Sequence, residues 1–373
     1  MFRLFCKIPR FYSYYYGLTA LWLATTAMHI PDGYLSPVTS IIMLFVALPF
    51  WVRGVRKLRE KINAQNIPVV ALFAAFSFVI MLFNLPLPGG TTGHAVGGAL
   101  AAIILGPEIA AIAVSMALVI QALFFGDGGI LAIGANCFNM AIVLPYVSYA
   151  VYQLISKNAP LNSKKRLAGA ALGGWTGLTV ASFFAAVEFG IQPLLWHAAD
   201  GTPLYAPYPL SIAIPAMVIP HALVPSVVEG LFTALVVAYL MRANQPVLKM
   251  VYKTGAAREL GSFGGWRALW VGLVVIIAAA PLGLLAPGTA WGEWGTEELS
   301  KMGFGFIPQG MQQLAGLWSA PMANYNLPAL HNDSLGYIFS AAAGMLIIVV
   351  VAWLFSTLAI SAKKTNAESI TDK

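Results

Sequence analysis

Charge is what this sequence has least of. Of its 373 residues only 9% are Asp, Glu, Lys or Arg, while 59% are hydrophobic, and the mean hydropathy is +0.77. A water-soluble chain carries about a quarter charged residues, so this one cannot cover its surface in water. The shortage excludes a soluble enzyme, a disordered scaffold and a nucleic-acid binder with positive charge gathered on one face. Cysteine is also scarce. Cys6 and Cys137 are too few for a disulfide framework and C-x-x-C is absent, which leaves the redox compartment open. No G-x-x-x-x-G-K-[ST] occurs, so the chain has no P-loop with which to hydrolyse ATP. The absence of H-E-x-x-H argues against an intramembrane zinc protease. No apolar run holds several acids, as a proton-coupled exchanger would. Glu108 and Glu188 lie at run ends, and Glu229 is alone within its run.

What is present is a series of apolar runs at 36–51, 68–85, 95–105, 109–125, 139–155, 167–187, 209–240, 269–285 and 337–360. Most approach or exceed the minimum spanning length of about 17 residues. The run at 95–105 does not, and reads as a tilted half-helix or a re-entrant element covered by protein. Lys and Arg are segregated among the connecting loops. Arg53, Arg56, Lys57, Arg59 and Lys61 fill the first, Lys157, Lys164, Lys165 and Arg166 another, and Arg242 to Arg267 a third. The loops at 86–94, 126–137 and 188–208 contain neither residue, and 286–336 contains only Lys301. The positive-inside rule makes the basic loops cytoplasmic and the others external. The expectation is an all-α, multi-pass protein of the cytoplasmic (inner) membrane. Seven crossings run from an external start near Met28 to Arg242, and two more bracket a long external loop and return the C-terminus to the cytoplasm.

Residues 1–27 read differently. Arg3, Lys7 and Arg10 form a basic stretch before an apolar segment at 11–23, and Thr25-Thr26-Ala27 supplies small residues where a signal peptidase cuts. The alternatives are a cleaved signal peptide, a retained anchor, or translation that begins at Met28. The first and last both leave Met28 as the N-terminus. The chain would then begin Met-His. Its amine, the His29 amide nitrogen and the His29 imidazole could close two fused chelate rings on one metal. A fourth nitrogen from His94 would complete a square, a geometry that favours Ni(II) or Cu(II).

His94 lies in a glycine-rich turn, Pro88-Gly89-Gly90-Thr91-Thr92-Gly93-His94-Ala95-Val96-Gly97-Gly98. A tight membrane hairpin explains the glycines but not the histidine, because an ionisable group at membrane depth is costly. Asp127, Asn136 and Asn139 could form a second shell that orients His94, though capping and turn roles account for them equally well. His221, in a run broken by Pro215, Pro220 and Pro225, reads more readily as a partner for backbone groups freed by those prolines than as a ligand. His197 and His331, in expected external loops, read as solvated or as capture ligands.

At this point the residues resemble a known family. Met28-His29-Ile30-Pro31-Asp32-Gly33-Tyr34-Leu35-Ser36-Pro37 is similar to the N-terminal signature of the CbiM/NikM family, the substrate-binding membrane (S) components of cobalt and nickel energy-coupling-factor (ECF) transporters. Residues 89–100, 124–129, 134–136, His221-Ala222-Leu223 and Glu229-Gly230 resemble it in the same order, and the separation of His29 from His94 matches that of its two metal histidines. From Arg267 onward the chain resembles the small two-span subunit, NikN or PDGLE-type, often fused to such components.

The resemblance implies a seven-helix S-component bundle plus two C-terminal helices. It implies Ni(II) or Co(II) as transported substrate, with no permanent cofactor, held by the Met28 amine, the His29 amide and imidazole, and His94. It also implies a transmembrane coupling (T) subunit and cytoplasmic ATP-binding (A) subunits as partners. The expected division is 1–27 leader, 28–245 metal-binding membrane domain, 246–265 cytoplasmic linker, and 266–373 two-span domain. The rivals are a self-sufficient secondary metal permease and a membrane hydrolase. A metal saturated by four nitrogens argues against the latter, since a catalytic metal needs an open position.

Overall fold

The computed structural model describes residues 28–61, 67–87, 92–160, 162–242, 264–286 and 306–371. The expected leader at 1–27 lies outside the described residues. So do 246–263 of the expected linker, 287–305 of the expected external loop and 88–91 of the glycine-rich turn.

The first helix, α1 (Pro37–Lys61), starts where its sequence tells it to. The Ser36 hydroxyl accepts from the Thr39 amide at 3.0 Å, with Pro37 in the first helical position. α2 (Ile67–Ile80) follows and leads into a two-residue antiparallel ladder, β1 (Leu85–Pro86) with β2 (Thr92–Gly93), in the register Leu85 opposite Gly93. Next come the short α3 (Gly98–Leu105) and α4 (Pro107–Ile120), the latter continuing as a π-helical turn, Gln121–Phe125. The segment Ile133–Ser156 is helical throughout, with α5 (Ile133–Asn136) and α6 (Leu144–Ser156) joined by a π-helical stretch, Cys137–Val143. α7 (Lys164–Gly190) is capped by the Ser163 hydroxyl and followed by the single turn α8 (Gln192–Leu195). The remaining α-helices among the described residues are α9 (Leu210–Leu223), α10 (Pro225–Arg242), α11 (Gly264–Ala279), α12 (Gln309–Leu314) and the long α13 (Asp333–Thr371).

Six segments among the described residues are long and apolar enough to cross a membrane: Pro37–Glu60, Pro107–Phe125, Ile133–Ser156, Lys164–Leu195, Leu210–Arg242 and Asp333–Leu354. Two shorter apolar helices, Pro68–Ile80 and Trp270–Leu285, accompany them. With α3, these account for every apolar run in the sequence. The run at 209–240, expected as one crossing element, is interrupted at Val224 (φ −122°, ψ −75°), because Pro225 bars its predecessor from helical geometry. The short run at 95–105 holds only eight helical residues, about 12 Å of rise. Gly98 through Ile104 are buried, so protein covers it on all sides.

α7 is the axis of one half of the bundle, packed by α6, α9 and α10, while α1, α2 and α3 surround α4. Small residues bring α7 and α10 together: a Cβ on Gly174 would lie 2.9 Å from the Gly230 Cα. α13 packs along α2, so the C-terminal part is seated on the first half of the chain. The outer faces are apolar. Phe45 on α1 is 67% exposed and Leu346 on α13 is 61% exposed, as side chains facing lipid should be.

Candidate metal site

The site is assembled at the end of the bundle away from the basic loops, from four separate stretches of chain. Met28–Tyr34 enters as an irregular segment, and Asn136 clamps it from both sides. The Ile30 amide donates to Asn136 Oδ1 (2.8 Å), and Asn136 Nδ2 donates back to the Ile30 carbonyl (3.0 Å). The Gly129 amide donates to the same carbonyl (2.8 Å), and the Asp32 carboxylate accepts from the amides of Ile130 and Leu131 (3.0 and 2.8 Å). The left-handed backbone at Gly33 (φ +91°) lets the segment pass against Met311, whose Cα would lie 2.7 Å from any Cβ there.

This clamping buries Met28 and His29, at 2% and 1% exposure. The two histidine rings meet, with centroids 4.8 Å apart and planes inclined by 60°. His94 is 4% exposed, and its Nδ1 donates to the Ala95 carbonyl at 3.1 Å, which leaves Nε2 with its lone pair. Burial first, and then the neighbouring His29 imidazole, push His94 down to about 3, so the ring is a neutral donor at physiological pH. His29 gives its Nδ1 to Asp127 Oδ1, and its Nε2 is buried without a hydrogen-bond partner. Asp127 is itself enclosed. Its Oδ2 accepts from Gln121 Nε2 (3.1 Å) and from the Tyr325 hydroxyl, and Gln121 Nε2 also reaches that hydroxyl (3.0 Å).

The loop that carries His94 is held from below. The Glu229 carboxylate, from α10, accepts from the amides of Val96 (2.8 Å), Gly97 (2.8 Å) and Ala99 (3.0 Å), which begin α3. Gly97 is left-handed (φ +76°) and packs on the Phe76 ring, which a Cβ would meet at 2.5 Å.

The structure therefore brings Met28, His29 and His94 together, and redistributes the polar residues expected around His94. Asp127 and Asn136 serve His29 and its segment. Asn139 is elsewhere and donates to Glu188 Oε2 at 2.9 Å. His221 donates from Nδ1 to the Met217 carbonyl (2.8 Å), which agrees with a backbone partner in a proline-broken run. Its buried Nε2 has no hydrogen-bond partner, and lies 3.6 Å from where a Cβ on Gly93 would sit. His197 and His331 stand apart on exposed loops, the first bridged to Pro203 in a small turn. Sequence reasoning left three contributors out of the site. A lone acid in an apolar run marked Glu229 and a lone amide marked Gln121, but nothing local marked Tyr325. Among the described residues no three His, Cys, Asp or Glu side chains converge on a common metal position.

Two buried imidazoles thus lie ring to ring at one end of a multi-pass helical membrane protein. The chain belongs to the CbiM family, described as the cobalt uptake substrate-specific transmembrane region, over residues 29–247, and a PDGLE domain follows at 266–361. It is 49% identical over 336 residues to the fused nickel transport protein NikMN of Rhodobacter capsulatus, covering 86% of this chain and 95% of that one. It is 43% identical to the probable fused nickel transport protein LarMN of Lactiplantibacillus plantarum, covering 87% and 96%. Among solved structures, it resembles a transition metal transporter at 45% identity with a TM-score of 0.55, covering 60% of this chain and 98% of that one. A truncated transition metal transporter matches at 47% identity with a TM-score of 0.54, covering 58% and 99%.

Proposed function

We propose that this chain is the substrate-binding component of an ATP-driven uptake system for Ni(II) or Co(II), taking the ion from the external side of the cytoplasmic membrane. In this reading residues 1–27 are a leader that leaves Met28 as the N-terminus. Residues 28–245 form a seven-crossing metal-binding domain, 246–265 a cytoplasmic linker, and 266–373 a two-crossing domain that ends in the cytoplasm. The ion is substrate and not a resident cofactor. The Met28 amine, the His29 amide and imidazole, and His94 Nε2 are its ligands. The observation that carries the reading is the burial of Met28 and His29 with the His94 ring 4.8 Å from the His29 ring. This is the neighbourhood a four-nitrogen square requires. Asp127 and Asn136 act as its second shell. Asn139 pairs with Glu188 outside it, and His221 brings its Nε2 beside Gly93, the neighbour of His94.

The chain has no P-loop, and in this reading energy comes from partners: a transmembrane coupling subunit and cytoplasmic ATP-binding subunits. The competing reading, a self-sufficient permease, makes the opposite claim about those partners. Nickel uptake by cells expressing this chain alone is expected to stay near background, and to rise when the coupling and ATP-binding subunits are supplied. Robust accumulation without them would establish the permease.

A further inference from the structure

We infer that Tyr325, in the C-terminal part of the chain, is a positioning residue for the metal ligand His29 and acts on it through Asp127. The inference rests on the proposed metal site and adds to it a contribution from outside the bundle that forms it. Asp127 is the sole carboxylate hydrogen-bonded to either site histidine among the described residues, and Tyr325 is one of the two side chains that hold its outer oxygen. Burial and the charge of Asp127 push the Tyr325 phenol well above its ordinary value, so the hydroxyl keeps its proton and is the donor in this pair.

The placement of Tyr325 is specific. Its ring is 1% exposed and stacks on Phe125 with centroids 4.8 Å apart and planes 18° from parallel, while Tyr337 meets it edge-on at 5.5 Å. Its carbonyl accepts from the Ser340 hydroxyl (3.0 Å), and the Met322 amide of the same turn donates to the Phe124 carbonyl (2.9 Å). Tyr325 and the preceding Asn324 both adopt left-handed backbone, with φ of 56° and 59°, a conformation that non-glycine residues hold only when their surroundings impose it. Residues 306–330 thus lie over the site end of the bundle, tied at Leu204 by the Gly310 amide (2.7 Å) and at Leu123 by the Trp318 indole (2.9 Å).

The chemistry gives the hydroxyl something to do. Only Nδ1 of His29 can close a six-membered ring with the amide of the same residue, and Nδ1 is the atom that Asp127 holds. Loading a metal on Nδ1 therefore requires the imidazole and Asp127 to rearrange together. Donors that neutralise the Asp127 carboxylate weaken its hold on the Nδ1 proton and so lower the cost of that rearrangement. Tyr325 and Gln121 supply those donors.

The test uses the full-length protein and NiSO4 as probe. Wild-type protein is titrated first, and failure to bind nickel would remove the proposed function itself. Given wild-type binding, Tyr325→Phe keeps the ring stack and removes only the hydroxyl. It is expected to weaken nickel affinity at least tenfold, and to shift the visible absorption of the bound ion, with a melting temperature close to wild type. Asp127→Asn removes the carboxylate through which the hydroxyl acts, so adding Tyr325→Phe to it should change affinity little further. Unchanged affinity and absorption in Tyr325→Phe, or fully additive losses in the double variant, would overturn the inference. So would a lowered melting temperature with affinity per folded molecule intact. If Tyr325→Phe fails to fold, Gln121→Met removes the other donor to the same oxygen, and unchanged affinity and absorption in that variant would overturn the inference equally.

Discussion

Two buried histidines carry the same hydrogen-bond pattern. His94 gives Nδ1 to the Ala95 carbonyl and His221 gives Nδ1 to the Met217 carbonyl, so each ring is fixed with a lone pair on Nε2. Only His94 meets His29 ring to ring, which is why it is the ligand in the proposed site. His94→Ala is expected to leave the protein folded in detergent and to weaken metal affinity by about 100-fold or more, close to 2.7 kcal/mol at roughly 1.4 kcal/mol per decade. Placing an alanine before Met28 should do comparable damage by moving the amine out of its five-membered ring. The pH profile offers a second readout of the same site. His94 is held neutral down to about 3, so it offers protons little purchase in the working range. In the proposed site the Met28 amine, with an ordinary value of about 8, must give up its proton to bind the metal. Affinity should therefore fall as pH drops from about 8 to about 5.5. A flat profile over that range, or a His94→Ala protein that melts early but binds normally, would contradict the ligand set.

At the scale of elements, α10 reaches across the bundle to build the loop before α3. Glu229 accepts three amides from Val96, Gly97 and Ala99, all within five residues of His94 in sequence. Hydrogen bonds to a charged acceptor contribute about 1.5–3 kcal/mol each, and more is lost when a buried partner is left unmatched. Glu229→Gln keeps the volume, removes the charge and points an amide donor at other donors. It should lower the melting temperature and, by loosening the His94 loop, reduce metal affinity by about tenfold. Thermal unfolding and a nickel titration on the same sample would show both. Loss of neither would mean that the loop is held by its glycines and by Phe76 alone. The acid was visible in the sequence as a lone charge inside an apolar run, but its target was not, because the partner amides lie more than 100 positions away.

At the scale of the whole molecule, the segregation of basic loops from loops nearly free of Lys and Arg predicts an orientation that can be read in intact cells. A cysteine introduced at the exposed Asp200 should react with a membrane-impermeant maleimide, whereas one introduced at Lys57 should react only after the membrane is opened. The native Cys137 is buried and should stay silent in both assays. The reverse labelling pattern would invert the topology and place the metal site on the cytoplasmic side.

What the sequence determined by itself was whatever depends on neighbours along the chain. Apolar runs become helices wherever their length suffices, Pro225 breaks the helix before it, and Met28-His29 with the histidine of the glycine-rich turn single out the residues of the proposed metal site. The tertiary structure decided which polar groups meet. Asp127 went to His29 and not His94, Asn139 went to Glu188, and Tyr325 crossed from the C-terminal part to complete the Asp127 shell. These pairings follow from helix packing inside an apolar interior, where every buried polar atom must find a partner within reach. Reach is set by how α2, α4, α7 and α13 stack, and spacing along the chain carries no record of that.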